Sequence, residues 1–252
     1  MKRFGLIGYP IDHSLSPELF AAAYPGSDMS YDLIEADNIE RAIGIFKDGY
    51  QAVNVTAPFK ADAFRYADTA DPVASALKAT NLLVKNADGI KAYNTDCLAV
   101  MAILDRVDPG RSAKVTVVGC GGAGKAAALA SATCGHPTTV INRHFEKAAG
   151  FCKSIGGARA LPEEMMATAV EDSDLLIYTL PVAVRQLEKI SFRNKIIIEA
   201  NYMDPCLAGY DAGEYVGGLQ WLVEQAAAGF PIMTCIMPDR QRLSKCCNKQ
   251  KK

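Results

Sequence analysis

The chain has 252 residues, half of them hydrophobic and 22% charged, with a mean hydropathy of +0.04, so it can bury a sizeable core. A formal net charge of −1 leaves no long-range field to draw it to nucleic acid or an anionic membrane. No window approaches the ~20 apolar residues of a membrane span, the opening MKRFGLIGYP lacks the apolar core of a secretory signal, and eight cysteines without a C-x-x-C pair indicate neither a metal site nor a disulfide framework.

Short apolar runs alternate with helix-period segments from the start: strand RFGLIGY, helix 17–24, strand YDLIEA, helix 38–48, strand AVNV, helix 58–66. That rhythm predicts βα units and a mainly parallel sheet. NLLVKNADGIKAYN predicts two strands about an Asp-Gly turn, adding an antiparallel edge. After a helix over 96–106, the polar VDPGRSAK reads as a junction. The alternation then restarts with strand KVTVVG, helix 123–134, strand TTVIN, helix 145–155 and strands LLIYTL and KIIIEA. A last helix spans 218–229, followed by FPIMTCIM and a basic tail, SKCCNKQKK, that reads as a frayed end. Most thiols are expected to be buried, with Cys246 and Cys247 exposed on that tail.

Four polar residues in the first half stand out. In GYPIDHSLSPELF, Ser16 as N-cap and Pro17 as first helical residue explain themselves structurally, but Ser14 is left over. Two hydroxyls at a helix start also suit a carboxylate that is held but not transformed. In NVTAPFK, a helix opened by Pro58 places Lys60 in its first turn, where the macrodipole disfavours a cation by ~0.3–1 kcal/mol. Either it is one more surface lysine or it is a proton donor to an oxyanion. Asp96 in YNTD is an N-cap, a partner orienting Lys60, or both.

The second half opens on VTVVGCGGAGKAAALA, in which Gly119, Gly121 and Gly124 form G-x-G-x-x-G between a β-branched strand and an alanine-rich helix. This is either a tight βα turn or a dinucleotide loop, with the helix amides facing a pyrophosphate. The next strand ends in Asn142 and Arg143, followed by Lys147, with no acid before Glu146. An acid at that strand end suits the 2′-hydroxyl of NAD, whereas cations suit a 2′-phosphate, so the cofactor expected is NADP(H).

GYPIDHSLSP, NVTAPFK, ATN at 79–81, YNTD at 93–96, GCGGAGKA, NRHFEKA and GGLQWLVEQAAAGF, in that order, resemble the shikimate dehydrogenase family over residues 5 to about 230. The resemblance implies an α/β fold of two domains. One is a mixed-sheet substrate domain over 1–104, completed by 218–252; the other is a Rossmann-type parallel-sheet NADP domain over 105–217. It implies NADPH-dependent reduction of 3-dehydroshikimate to shikimate in aromatic amino-acid biosynthesis; with neither a secretory signal nor a membrane span in the sequence, the expected location is the cytoplasm, as a monomer or homodimer. Lys60 and Asp96 would be the catalytic pair, with Ser14, Ser16 and Tyr202 on the substrate carboxylate and Thr56, Asn81 and Gln225 on ring hydroxyls. Gly119, Gly121, Gly122, Ala123, Gly124, Asn142, Arg143, Lys147, Tyr178 and Gly218 would bind the cofactor. Several positions depart from the family's pattern: Phe20 and Ala21 replace His-Asn, Lys78 stands where glycine is common, and Leu82, Ala99, the Tyr178–Leu180 stretch and Trp221 also differ. An NAD-using quinate/shikimate dehydrogenase is disfavoured by Arg143. A shikimate sensor without turnover is disfavoured by the retained Lys60 and Asp96.

Overall fold

Two six-stranded sheets organise the chain, one in each of two compact units: Met1–Thr95 with the segment from Gln225 onward, and Asp96–Glu224. The computed structural model describes residues 1–108 and 110–248. The sequence reading put its junctions at 104/105 and 217/218.

The first unit runs β1 (Lys2–Gly8), α1 (Ser16–Ala23), β2 (Met29–Glu35), α2 (Ile39–Gly49), β3 (Ala52–Val55), α3 (Lys60–Phe64), β4 (Thr69–Ala70), α4 (Pro72–Leu77), β5 (Leu82–Asn86) and β6 (Gly89–Tyr93). Its sheet order is β2-β1-β3-β5-β6-β4, with β2, β1 and β3 parallel and the β5–β6 hairpin antiparallel to β3. The hairpin is therefore internal rather than an edge, because two-residue β4 adds a parallel pairing outside it. Asn38 caps α2 by accepting from Arg41 N–H at 2.9 Å, and Ile39, Ala42, Ile43 and Phe46 form the helix-spaced stripe that packs on Ile7, Val53 and Val55. The third helix is shorter than its predicted 58–66: it starts at Lys60, and Pro58 lies in the turn before it.

The second unit is reached through α5 (Thr95–Val107) and continues β7 (Val115–Val118), α6 (Gly122–Thr133), β8 (Thr138–Ile141), α7 (Phe145–Ile155), β9 (Ala158–Leu161), α8 (Met166–Glu171), β10 (Leu175–Tyr178), β11 (Ile196–Glu199) and β12 (Glu214–Val216). Every pairing is parallel, in the order β12-β11-β10-β7-β8-β9. Renumbered from β7, that is the doubly wound order 6-5-4-1-2-3, with its switch point between β7 and β10.

A final pair of helices closes the chain, α9 (Gly218–Thr234) and α10 (Arg240–Asn248). Helix α9 passes the predicted end at 229 and contains Pro231, because Phe230 and Met233 extend its buried apolar face. Phe230 joins an aromatic cluster in the first unit, where the Phe20 ring lies 5.4, 5.0, 4.9 and 5.2 Å from Phe4, Tyr24, Tyr31 and Phe230. Much of the expected frayed tail is helix instead: Asp239 caps its start by accepting from Arg242 N–H at 3.1 Å, and fully buried Leu243 anchors α10. Cys246 is half-buried there, not exposed, while the Cys247 side chain and residues 249–252 lie outside the described residues. Of the other thiols, Cys97, Cys134 and Cys152 are buried, Cys120 and Cys206 half-buried, and Cys235 exposed.

Candidate functional site

One end of the first sheet gathers most of the predicted substrate residues. Parallel β1 and β3 pair Ile7 with Val55, so Gly8 and Thr56 leave the sheet side by side. A Cβ on Gly8 would fall 2.4 Å from Thr56 Cγ2, which explains a glycine there. Antiparallel β5 pairs Leu82 with both Asn54 and Tyr93, so Asn81 enters and Asn94 leaves at that same end. The connections there carry Ser14, Thr56, Lys60, Asn81 and Thr95.

Buried polar bonding fixes these groups. Asn81, 3% exposed, accepts from Thr95 N–H at 2.7 Å and donates through Nδ2 to Thr95 Oγ1 at 3.0 Å and Gln225 Oε1 at 3.5 Å. Thr80, fully buried, donates from Oγ1 to the carbonyls of Leu82 and Tyr93 at 2.8 and 2.7 Å, and its N–H donates to the Lys60 carbonyl at 2.9 Å. Lys60 is half-buried. Sequence reasoning missed Thr80, Thr95, Asn54 and Tyr31. The Tyr31 hydroxyl donates to Asn54 Oδ1 at 2.8 Å and Asn54 Nδ2 donates to the Asn81 carbonyl at 3.2 Å. A polar residue inside the apolar run AVNV was the available signal, since a buried amide must find partners. Burial raises the Tyr31 phenol above its ordinary range, opposed by its hydrogen bond with Ser16.

Two capping expectations fail. Leu15, not Ser16, precedes α1, and no side chain caps that helix; Ser14 Oγ instead donates to Ser16 Oγ at 3.2 Å and accepts from Ser16 N–H at 3.3 Å. Capping therefore no longer accounts for Ser16. Asp96 is buried one residue inside α5, which begins at Thr95, so it lies in the first turn, where the macrodipole favours a carboxylate, rather than at the cap.

In the second unit the glycine loop follows β7. Gly119 has φ +101°, and a Cβ there would fall 2.4 Å from Thr179 Oγ1; on Gly124 it would fall 2.1 Å from the Gly119 carbonyl oxygen. Gly121 is different: no atom lies within 4 Å of its would-be Cβ, so this glycine opens space beside α6, whose start has no side-chain cap. Open backbone at an uncapped helix start is what a pyrophosphate approaches. Asn142 Oδ1 accepts from Cys120 N–H at 3.2 Å, tying the loop to the end of β8. Arg143 and Lys147 are exposed just beyond. Gly218 opens α9, and its would-be Cβ meets the 200–202 backbone at 2.6–2.7 Å, so its close contact is with the segment bearing Tyr202. Tyr178 is a correction: its side chain is fully buried among Val118, Leu176 and Leu207, and its hydroxyl donates to the Val182 carbonyl, so it is a core group rather than a cofactor contact.

Residues 6–83 match the family model for the shikimate dehydrogenase substrate binding domain. The NADP(+)-dependent shikimate dehydrogenase of Anaeromyxobacter dehalogenans (strain 2CP-C) is 34% identical over 92% of this chain and 90% of its own length. The chain belongs to the shikimate dehydrogenase family. Shikimate dehydrogenase of Mycobacterium tuberculosis superposes with a TM-score of 0.86 at 30% identity, covering 99% of this chain and 100% of that one. The Thermus thermophilus enzyme, solved with NADP(H) and shikimate, shares the fold at a TM-score of 0.83 and 23% identity, covering 99% of each chain. Residues 114–189 also match a FAD binding domain model. That span holds the strand–glycine loop–helix unit that flavin and nicotinamide dinucleotide folds have in common, so it carries the fold of the loop and not the choice of cofactor.

Proposed function

We propose that this chain catalyses the NADP-dependent interconversion of 3-dehydroshikimate and shikimate. The observation that carries the proposal is the convergence of Ser14, Thr56, Lys60, Asn81 and Thr95 at one end of the first sheet, in a chain that also holds an uncapped glycine loop. NADPH supplies the hydride. As negative charge grows on the carbonyl oxygen, the Lys60 ammonium donates a proton to it; in the oxidative direction the same amine takes the proton back. Asp96 orients the ammonium. Ser14, Ser16 and Tyr202 hold the carboxylate, while Thr56, Asn81 and Gln225 hold ring hydroxyls, the amide of Asn81 being fixed in advance by Thr95.

On the cofactor side, Gly119, Gly121, Gly122, Ala123 and Gly124 offer backbone to the pyrophosphate, Asn142 holds the loop, and Gly218 is placed with them through the resemblance. Arg143 and Lys147 meet the 2′-phosphate. A cation at this strand end selects against NAD only by what it gains from that phosphate, so the preference is measurable. Soluble substrates and cofactor fit a cytoplasmic monomer or homodimer. No helix among the described residues is long and apolar enough to cross a membrane.

Purified protein offered shikimate or quinate, each with NADP or NAD, and followed by reduced-nicotinamide absorbance, tests the assignment. Shikimate with NADP is expected to be fastest. Faster turnover of quinate with NAD points to a quinate dehydrogenase, and calorimetric binding of shikimate without turnover in any pairing points to a sensor.

A further inference from the structure

Glu199 ends β11 and is fully buried, a costly place for a carboxylate unless donors meet it. Three do. Oε1 accepts from Cys206 N–H at 2.5 Å, while Oε2 accepts from Leu207 N–H at 3.0 Å and from the Tyr215 hydroxyl at 2.7 Å. Burial first, and Glu199 next, raise the Tyr215 phenol above its ordinary range, so it stays protonated and donates. The near end of the same segment is fastened separately: Asn201 Oδ1 accepts from the N–H groups of Met203 and Asp204 at 3.1 and 3.3 Å, and its Nδ2 donates to the Asp204 carbonyl at 2.6 Å. A Cβ on Gly218 would lie 2.6 Å from the Ala200 oxygen and 2.7 Å from Tyr202 N, so this glycine lets α9 close against the segment.

Tyr202 stands inside the nearer fastening, between Asn201 and Met203, and the Glu199 bonds hold the far end of the same segment. None of the three bonds to Glu199 belongs to a sheet ladder; the two from Cys206 and Leu207 fold the strand's exit back on itself, and the one from Tyr215 ties it to β12. A carboxylate is also the one side chain that supplies two acceptor oxygens to two successive amides and a phenol at once. We propose that Glu199 is a positioning residue that acts through Tyr202, clamping the 200–207 segment so that the Tyr202 hydroxyl is presented to the substrate carboxylate. The proposal rests on the shikimate reading above.

Glu199→Gln keeps one acceptor and leaves the others mismatched. It is expected to raise KM for shikimate about tenfold while KM for NADP and kcat stay within about twofold. Tyr215→Phe, which leaves both amide bonds in place, is expected to show the same split at roughly threefold, and it serves should Glu199→Gln not accumulate as folded protein. In a Tyr202→Phe background both effects on KM are expected to vanish, since a residue acting through Tyr202 has nothing left to position. Equal KM effects in that background, or an unchanged KM in the single variants, overturn the proposal. Hydrogen exchange at the amides of Cys206 and Leu207 reads the clamp without substrate: faster exchange in Glu199→Gln is expected, and unchanged exchange overturns the clamp whatever the enzyme turns over. Wild-type protein inert towards shikimate, with that faster exchange present, would instead remove the shikimate reading and the substrate role while leaving the clamp.

Discussion

The two units build their candidate functional surfaces from different materials. In the second unit the surface is backbone: Gly119 and Gly124 are forced by approaches of 2.4 and 2.1 Å, and the helix start they lead into has no side-chain cap. In the first it is side chain, set at the end of a mixed sheet and locked by amide and hydroxyl bonds such as Asn81 to Thr95. The difference sets how each fails. On the proposed reading, a Cβ added to the glycine loop is expected to damage fold and binding together, whereas truncating a side chain at the end of the first sheet is expected to remove chemistry and leave the sheet intact.

Lys60→Ala is the strongest probe of that contrast. Loss of the proton donor is expected to cut kcat by at least ~100-fold with little change in KM for NADP, measured by steady-state kinetics. Near-normal turnover would take Lys60 out of the reaction. Next in size is Arg143→Ala, where the probe moves to the second unit. Removing a guanidinium from a phosphate dianion is expected to raise KM for NADP by roughly ten- to a hundredfold while leaving KM for NAD within about twofold. A parallel loss with both cofactors would mean that Arg143 serves the loop rather than the 2′-phosphate.

Legibility followed the same division. The parallel sheet of the second unit was readable because buried strands such as VTVV and TTVI are continuous apolar or β-branched runs, and the glycine spacing marks the turn by itself. Strand β9 escaped notice because ARAL has no such run and is held by its ladder to β8. Helix α10 escaped because, among the described side chains of its RQRLSKCCN, only Leu243 is fully buried, and its charges read as a solvated tail. Tyr178 was placed by resemblance alone, and a place in a motif does not say that the side chain packs into the core with Val118 and Leu207. At the first sheet, single residues were visible, but the bonds that fix them join positions far apart in sequence, such as Tyr31 to Asn54 and Asn81 to Gln225. Spacing within one segment cannot encode those partners.

The smallest effect concerns a position that neither surface uses. Lys78 ends α4 in the left-handed region, φ 51° and ψ 36°, which is the physical reason a glycine is common there in the family the sequence resembles. A side chain at such a position costs roughly 1–2 kcal/mol, and about 0.5 kcal/mol from its ammonium over a ring together with about 0.5 kcal/mol for the extra freedom glycine gives the unfolded chain offset all but roughly 0.5 kcal/mol of it. The ring is that of Phe64, with Nζ 5.9 Å from its centroid. Lys78→Gly is therefore expected to raise the thermal midpoint by about 1–2 °C with unchanged kinetics, and Lys78→Ala, which keeps the strain and loses the ring contact, to lower it by a similar amount. Opposite signs for the two variants tie the effect to backbone conformation; a shared sign would assign it to the lysine side chain alone.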